Sequence, residues 1–255
     1  NALEPLELDI RNAFENGYPA VAGLSKIRLF QWIGKLVYGI LYNEIQLGIR
    51  QQRTAGEEFT FSQALRHKFR NLHFMLQSLI VPVEFEDRLP WTIEVFPVSN
   101  SEHTFNYRDE MNTLVFSLRM NDFGIIACLQ DNGANGVYHK DILARVKHQT
   151  LHPIQFEELC AKFYYSAYLF NRLPEYTYLA TGEAVYIEAM PLRGISNKPL
   201  FDFWQNKTYG QVLENFWKPW GFVLFEIIKD PEKPMSFLID EDEIFIDPAK
   251  IELPA

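Results

Sequence analysis

"TLVFSLRMNDFGIIACLQ", residues 113–130, reads as two strands and the turn that joins them. Both halves, 113–120 and 123–130, are rich in β-branched and aromatic residues. Asn121-Asp122 between them has the chemistry of a two-residue hairpin turn. "WTIEVF", 91–96, predicts another strand just upstream. Downstream, "DNGANG", 131–136, reads as a loop, and helices are expected over 140–147 and 153–171. Pro153 suits the first helical position, and Glu157 and Glu158 suit the first turns, where the helix dipole is positive. Strands are expected at 178–190 and 222–228, and an acidic hairpin at 237–247.

The region before the hairpin is helical in period. A short helix over 6–16 should end at Gly17. "LFQWIGKLVYGILYNEIQLGIR", 29–50, should belong to a long helix that starts after the N-cap Ser25. A third helix, 61–80, places Phe61, Leu65, Phe69, Leu72, Leu76 and Leu79 at spacings of three and four, and Pro82 ends it. Residues 53–60 read as the loop between the last two. Helices first and hairpins later make an α+β fold, with N-terminal helices packed on a largely antiparallel sheet. We expect one domain over 1–255, helical to about residue 82 and mixed from about 83.

The 29–50 stretch raises the question of a membrane. Its longest apolar run, 36–42, holds seven residues, whereas a spanning helix needs about 20. Arg28, Gln31, Lys35, Gly39, Asn43, Gln46 and Arg50 draw one polar stripe along it. That pattern predicts a core helix buried on most sides.

The formal net charge of −9 argues against broad nonspecific binding of nucleic acid. The charge is uneven, however. Residues 26–70 hold eight basic against three acidic side chains, a balance of +5, and residues 226–252 hold three against nine, a balance of −6. Within the first region Arg50, Arg53, Arg66, His67, Lys68 and Arg70 fall near the end of one helix and in the first half of the next. An antiparallel pairing of those helices gathers them into a patch suited to nucleic-acid phosphates or an acidic partner.

Other candidate chemistry is sparse. The two cysteines, Cys128 and Cys160, stand 32 positions apart in apolar segments, which suggests buried thiols in a reducing, cytoplasmic setting. His67, His73, His103, His139, His148 and His152 show no metal-ligand spacing, and Pro153 separates His148 and His152 from a common helix. "DEDE", 240–243, reads as an exposed turn. The 131–136 loop lacks the Lys-Ser/Thr of a phosphate cradle. "KFYYSAYLF" (162–170) and "FWKPWGF" (216–222) read as core. The expectation is therefore no catalytic residue, no metal and no cofactor in this chain. The N-terminus "NALEPLELDI" has no signal-peptide character.

The order of "LELDIRNAFENGY" (6–18), "LFQWIGKLVYGILYNEIQL" (29–47), "NLHFMLQSL" (71–79), "PWTIEVFPV" (90–98), "FSLRMNDFGIIACLQDNGA" (116–134) and "LHPIQFEELCAKFYYSAYL" (151–169) resembles the C-terminal part of bacterial HNH-endonuclease-like proteins. The resemblance implies a preceding zinc-binding module with two Cys-x-x-Cys pairs and a Glu-His-apolar-apolar-Pro stretch. This chain contains neither Cys pair, and Glu102-His103 is followed by Thr104-Phe105, so none of that family's active-site residues carries over. The chain begins at Asn1-Ala2 without Met. It is either a piece that starts after such a module or a diverged protein that never had one. The resemblance implies a noncatalytic accessory role, positioning nucleic acid or a protein partner. The alternatives are a stand-alone enzyme or small-molecule binder with a pocket assembled from distant residues, and an interaction scaffold.

Overall fold

The computed structural model describes residues 3–55, 62–86, 88–99, 105–192 and 196–253, and the side chains of 48–55 lie outside that set. The first helix, α1 (Glu4–Glu15), buries Leu6, Ile10, Ala13 and Phe14, spaced three and four apart. Gly17 ends the segment with φ 76°, which a side chain would strain. The following helix, α2 (Tyr18–Gly23), is capped from across the molecule, since Tyr18 N donates to Asp122 Oδ1 at 2.9 Å. A Cβ at Gly17 would lie 2.7 Å from that carboxylate oxygen. The N-terminal helices are thus fastened to the hairpin turn at Asn121-Asp122, where Asn121 has φ 51°.

Ser25 Oγ accepts from Arg28 N at 3.2 Å and opens α3 (Lys26–Ala55), a helix of 30 residues. Leu29, Phe30, Ile33, Val37 and Leu41 are its buried stripe. Two members of the polar stripe meet α1, Arg28 paired to Asp9 and Lys35 to Glu7. The expected burial on most sides holds only for the first half, because Tyr42 and Leu47 are exposed. Among the described residues no helix is long and apolar enough to cross a membrane. Residues 53–55 continue α3 instead of forming a loop, and 56–61 lie outside the described residues. The next helix, α4 (Gln63–Met75), is capped by Ser62 and continues as a 3-10 turn, Leu76–Leu79. It runs antiparallel to α3: Gln31 Nε2 donates to Ser78 O, Leu76 packs over Gly34, and Tyr38 stacks on Phe69 with ring centroids 4.6 Å apart.

Among the described residues, seven strands form two sheets. In the larger, β2 (Thr92–Pro97), β5 (Phe123–Cys128), β4 (Val115–Met120) and β3 (Phe105–Glu110) lie side by side in that order, all antiparallel. In the smaller, β7 (Val185–Ala189) sits between β1 (Val83–Glu86), to which it is parallel, and β6 (Tyr176–Ala180), to which it is antiparallel. The single strand expected over 178–190 is in fact a hairpin, because Thr181 Oγ1 accepts from Glu183 N and Ala184 N and turns the chain. Sequence reading passed over β1 and β3. The first is four residues long with a partner a hundred positions away, and the second is a polar edge strand.

The central strand β5 is buried along its whole length. Phe123, Ile125 and Ala127 face the core shared with α1–α3 and the smaller sheet, while Ile126 and Cys128 face a second core. That second core is covered by α7 (Pro153–Leu169) and α8 (Asn206–Trp217). Between β5 and α7 run two short helices, α5 (Ala134–Tyr138) and α6 (Lys140–Val146), so the expected loop at 131–136 is a turn that already enters a helix. His152 Nδ1 accepts from Ile154 N and Gln155 Oε1 from His152 N, which fixes the start of α7 with Pro153 at its first position. The strand expected at 222–228 is instead α9 (Leu224–Ile227). Glu214 Oε1 accepts from Leu224 N at 2.8 Å and starts a helical turn that buries Phe222 and Ile227 beside α8. The acidic hairpin survives as a turn closed by one bridge, Ile239 to Phe245. The aromatic groups at 162–170 and 216–222 supply core: Phe163, Tyr164, Tyr165, Phe216, Trp217 and Phe222 are all buried.

Gly124 is the tightest point of this packing. A Cβ built there would lie 2.3 Å from Cε2 of Phe156 on α7. Gly124→Ala should therefore destabilise the fold by about 1–3 kcal/mol through overpacking, as measured by urea unfolding. Phe156→Leu should cost much less in the Gly124→Ala background than in wild type. Additive costs would mean that the two positions do not press on each other.

Candidate binding cleft

The turn after β5 is held by its own side chains. Asp131, buried, accepts from Thr92 Oγ1 at 2.7 Å, from Gly133 N at 3.1 Å and from Asn135 N at 2.9 Å. Asp131 N and Asn132 N both donate to Pro90 O, and Gln130 Nε2 donates to Lys68 O at 2.6 Å. Burial pushes the Asp131 carboxyl above its ordinary range, with those donors working the other way. The turn is thereby stitched to α4, to the segment before β2 and to β2 itself. Two successive residues, Asn132 (φ 49°) and Gly133 (φ 76°), adopt left-handed backbone.

Asn132 reaches across to the end of β7, where its Nδ2 donates to Met190 O at 3.1 Å. That bond fixes which amide atom is nitrogen. Its Oδ1 is buried and has no hydrogen-bond partner among the described residues. Asn132 lines a cavity of about 630 Å³ between the N-terminus of α5, the end of β7 and residues 200–201. Val137, Tyr138, Met190, Leu200 and Phe201 give it apolar walls, with the Tyr138 and Phe201 rings 4.3 Å apart. Arg88 and Glu188 are its charged lining residues. A few apolar walls, one unsatisfied acceptor and two opposite charges match the usual makeup of a small-molecule site. A smaller cavity of about 370 Å³ lies on the other flank of α5 and shares Gly133 and Val137; there burial lowers the Lys26 pKa and raises that of Glu94.

The ionisable groups of α7 are engaged in holding the fold. Glu157 Oε1 accepts from Asn106 Nδ2 at 2.8 Å, and its carboxylate pairs with Arg119 at 3.4 Å and Arg108 at 3.6 Å. Glu158 accepts from Ser236 Oγ, Phe237 N and Leu238 N at 2.8, 2.6 and 3.1 Å and lies 3.8 Å from Lys162. Burial still holds the Glu158 carboxyl above its ordinary range. The two glutamates are therefore tethers to β3, β4 and the C-terminal segment, not the dipole partners that their place in the first turns suggested. Ser166 donates to Asn135 Oδ1 at 2.6 Å, which leaves His139 Nε2–H as donor to Ser166 Oγ at 2.8 Å. Burial, with nearby Lys162, lowers the His139 pKa from 6.5 to about 3. Cys128 and Cys160 are buried free thiols pushed well above their ordinary range by burial. "DEDE" is an exposed turn in which Asp240 Oδ1 accepts from Asp242 N and Ile244 N and Glu243 pairs with Arg145 at 2.9 Å.

Of the six basic residues, the side chains of Arg66, His67, Lys68 and Arg70 are described. The side chains of Arg50 and Arg53 lie outside the described residues. His67 uses both ring nitrogens, donating from Nε2 to Pro174 O at 3.1 Å and accepting at Nδ1 from Arg70 at 3.2 Å. Lys68 donates to Asn112 O, and burial lowers its pKa, with Glu110 opposing. Arg66 and Arg70, one turn apart, share a helix face. Among the described residues no group of three or more His, Cys, Asp or Glu side chains is placed to hold a metal ion. Comparison with family models, with curated proteins and with solved structures finds no match.

Sequence reading recognised the 131–136 turn but not the cleft beside it. Arg88, Asn132, Glu188 and Phe201 come from four separate segments, and their meeting depends on the pairing of β1 with β7.

His139 gives a pH test. Its folded pKa lies below the unfolded 6.5, so its contribution to stability is complete above 6.5 and is lost as pH falls towards 3, at about 1.4 kcal/mol per pH unit. Asp131 and Glu158, both shifted up, act in the opposite sense. The difference between wild type and His139→Gln isolates the histidine. Its stability gap should narrow by about that slope between pH 6.5 and 4.5, and a gap independent of pH would refute the assignment.

Proposed function

We propose that this chain is a small-molecule-binding protein that takes its ligand in the cleft beside Asn132, ahead of the accessory role, positioning nucleic acid or a protein partner, that the HNH-endonuclease-like resemblance implies. The observation that carries this reading is a cavity of about 630 Å³ with apolar walls and two opposite charges, set on elements bonded to one another. The stand-alone enzyme reading has less behind it. The buried carboxylates and His139 already have several partners each, and they serve to join elements.

The cleft is tested by blocking it. Val137 is exposed and lines the cavity, so Val137→Trp should fill the mouth with little change in melting temperature. Ligand-detected NMR on a set of small aromatic and aliphatic compounds should find binders of wild type that the variant rejects by about tenfold or more. Equal binding to both proteins would count against the cleft.

A second reading, contact with nucleic acid or an acidic partner through α4, is supported by the shared face of Arg66 and Arg70 within the region of positive balance. Neutralising so few phosphates gives weak affinity that falls steeply with salt. A short DNA duplex and a short single strand should bind at low salt and be released near physiological salt. Arg66→Ala with Arg70→Ala should abolish the low-salt binding. Unchanged binding by the double variant would clear α4 of the role.

A further inference from the structure

The lining of the cleft specifies more than an apolar guest. Glu188 stands on the face of β7 opposite Ile187 and Ala189, which enter the core. One of its oxygens, Oε2, accepts from Thr177 Oγ1 at 3.3 Å, which orients the carboxylate. Its register partner on the parallel strand β1 is Glu86, so two like charges lie side by side on that face. This costs energy unless a cation sits nearby. Arg88 follows two residues after Glu86 and lines the same cavity, yet no ion pair joins it to Glu188 among the described residues. Asn132, nine-tenths buried, also lines the cavity, and its Oδ1 has no hydrogen-bond partner among the described residues.

A carboxylate, a guanidinium and apolar walls lining one cavity fit a zwitterion with a hydrophobic body. We propose that the cleft binds a free α-amino acid with a large apolar side chain, a proposal that rests on the cleft being the binding site. Its ammonium donates to Glu188. Its carboxylate pairs with Arg88, and its side chain packs against Val137, Tyr138, Leu200 and Phe201. Exposed Arg88 is free to close onto the carboxylate, and the planar fork of its guanidinium suits two parallel bonds.

The probes are L-phenylalanine, phenethylamine, which lacks the carboxylate, and 3-phenylpropionate, which lacks the ammonium. Each is titrated into the full chain, and the methyl resonances of Val137, Leu192 and Leu200 are followed by NMR. L-Phenylalanine should shift them, and each truncated probe should bind about tenfold more weakly or worse, the loss expected for a charge-assisted bond. In Arg88→Gln, at an exposed position, the advantage of L-phenylalanine over phenethylamine should vanish. In Glu188→Gln, which keeps the bond from Thr177, its advantage over 3-phenylpropionate should shrink. If a truncated probe shifts the same methyls as strongly as L-phenylalanine, the zwitterion is overturned while the cleft stands as a binding site. If all three probes leave these methyls unmoved, the proposal and the cleft reading fall together.

Discussion

The seating of Phe156 over Gly124 governs how this molecule is put together. A strand buried on both faces needs a layer of helices on each side, and the second layer comes close only where the strand offers no side chain. Gly124 provides that gap in β5, and α7 settles into it. From that position α7 reaches much of the chain. Gln155 Nε2 donates to Phe237 O and Ile246 O, Glu157 binds β3 and β4, and Glu158 caps the 236–238 segment. Tyr164 OH donates to Arg108 O, and Ser166 holds Asn135 and His139. A shift of α7 by a fraction of an ångström would strain all of these together, because close-packed interiors transmit displacement instead of absorbing it.

Such a helix carries an electrostatic cost that the rest of the chain is arranged to offset. Two adjacent carboxylates in a buried helix are expensive unless each is fully solvated by protein groups. Glu157 is met by two arginines from neighbouring strands, a compensation by charge. Glu158 is met mainly by backbone N–H groups and a hydroxyl, a compensation by dipoles, with Lys162 one turn away. Removing one partner leaves an unmatched charge in a dry place, so these contacts specify the arrangement of α7 more than they add to net stability.

The parts of the fold that sequence made legible were those with a local cause. The hairpin at Asn121-Asp122, the cap at Ser25, the helix start at Pro153 and the buried stripe of α3 each follow from a few adjacent residues. The parts that were missed depend on distant partners. "FVLFEII" has the composition of a strand, but Glu214 starts a helix there, and that contact is made ten positions upstream. "VEFE" is too short to declare itself, and becomes a strand because residues 185–188 lie beside it. Glu157 reads as a dipole partner because its arginines are 38 and 49 residues away in the chain. Along α4 the helix turns about 100° per residue and sends neighbours in different directions. His67 and Lys68 consequently meet backbone carbonyls on two different segments.

The cleft follows from the same division between local and distant causes. Asp131 shapes its turn with bonds that reach at most four residues ahead, and this local device orients Asn132 in the left-handed region. What Asn132 then faces is decided by the smaller sheet, whose β1–β7 pairing spans a hundred residues. A stiff turn anchored at β5 and a separately built sheet meet at the single bond from Asn132 to Met190 O. One amide atom is committed to that join, and the geometry that commits it leaves the other, Oδ1, without a donor. An unsatisfied buried acceptor costs about 1–3 kcal/mol. The orphaned oxygen is therefore the cost of joining a locally shaped turn to a sheet built from distant segments.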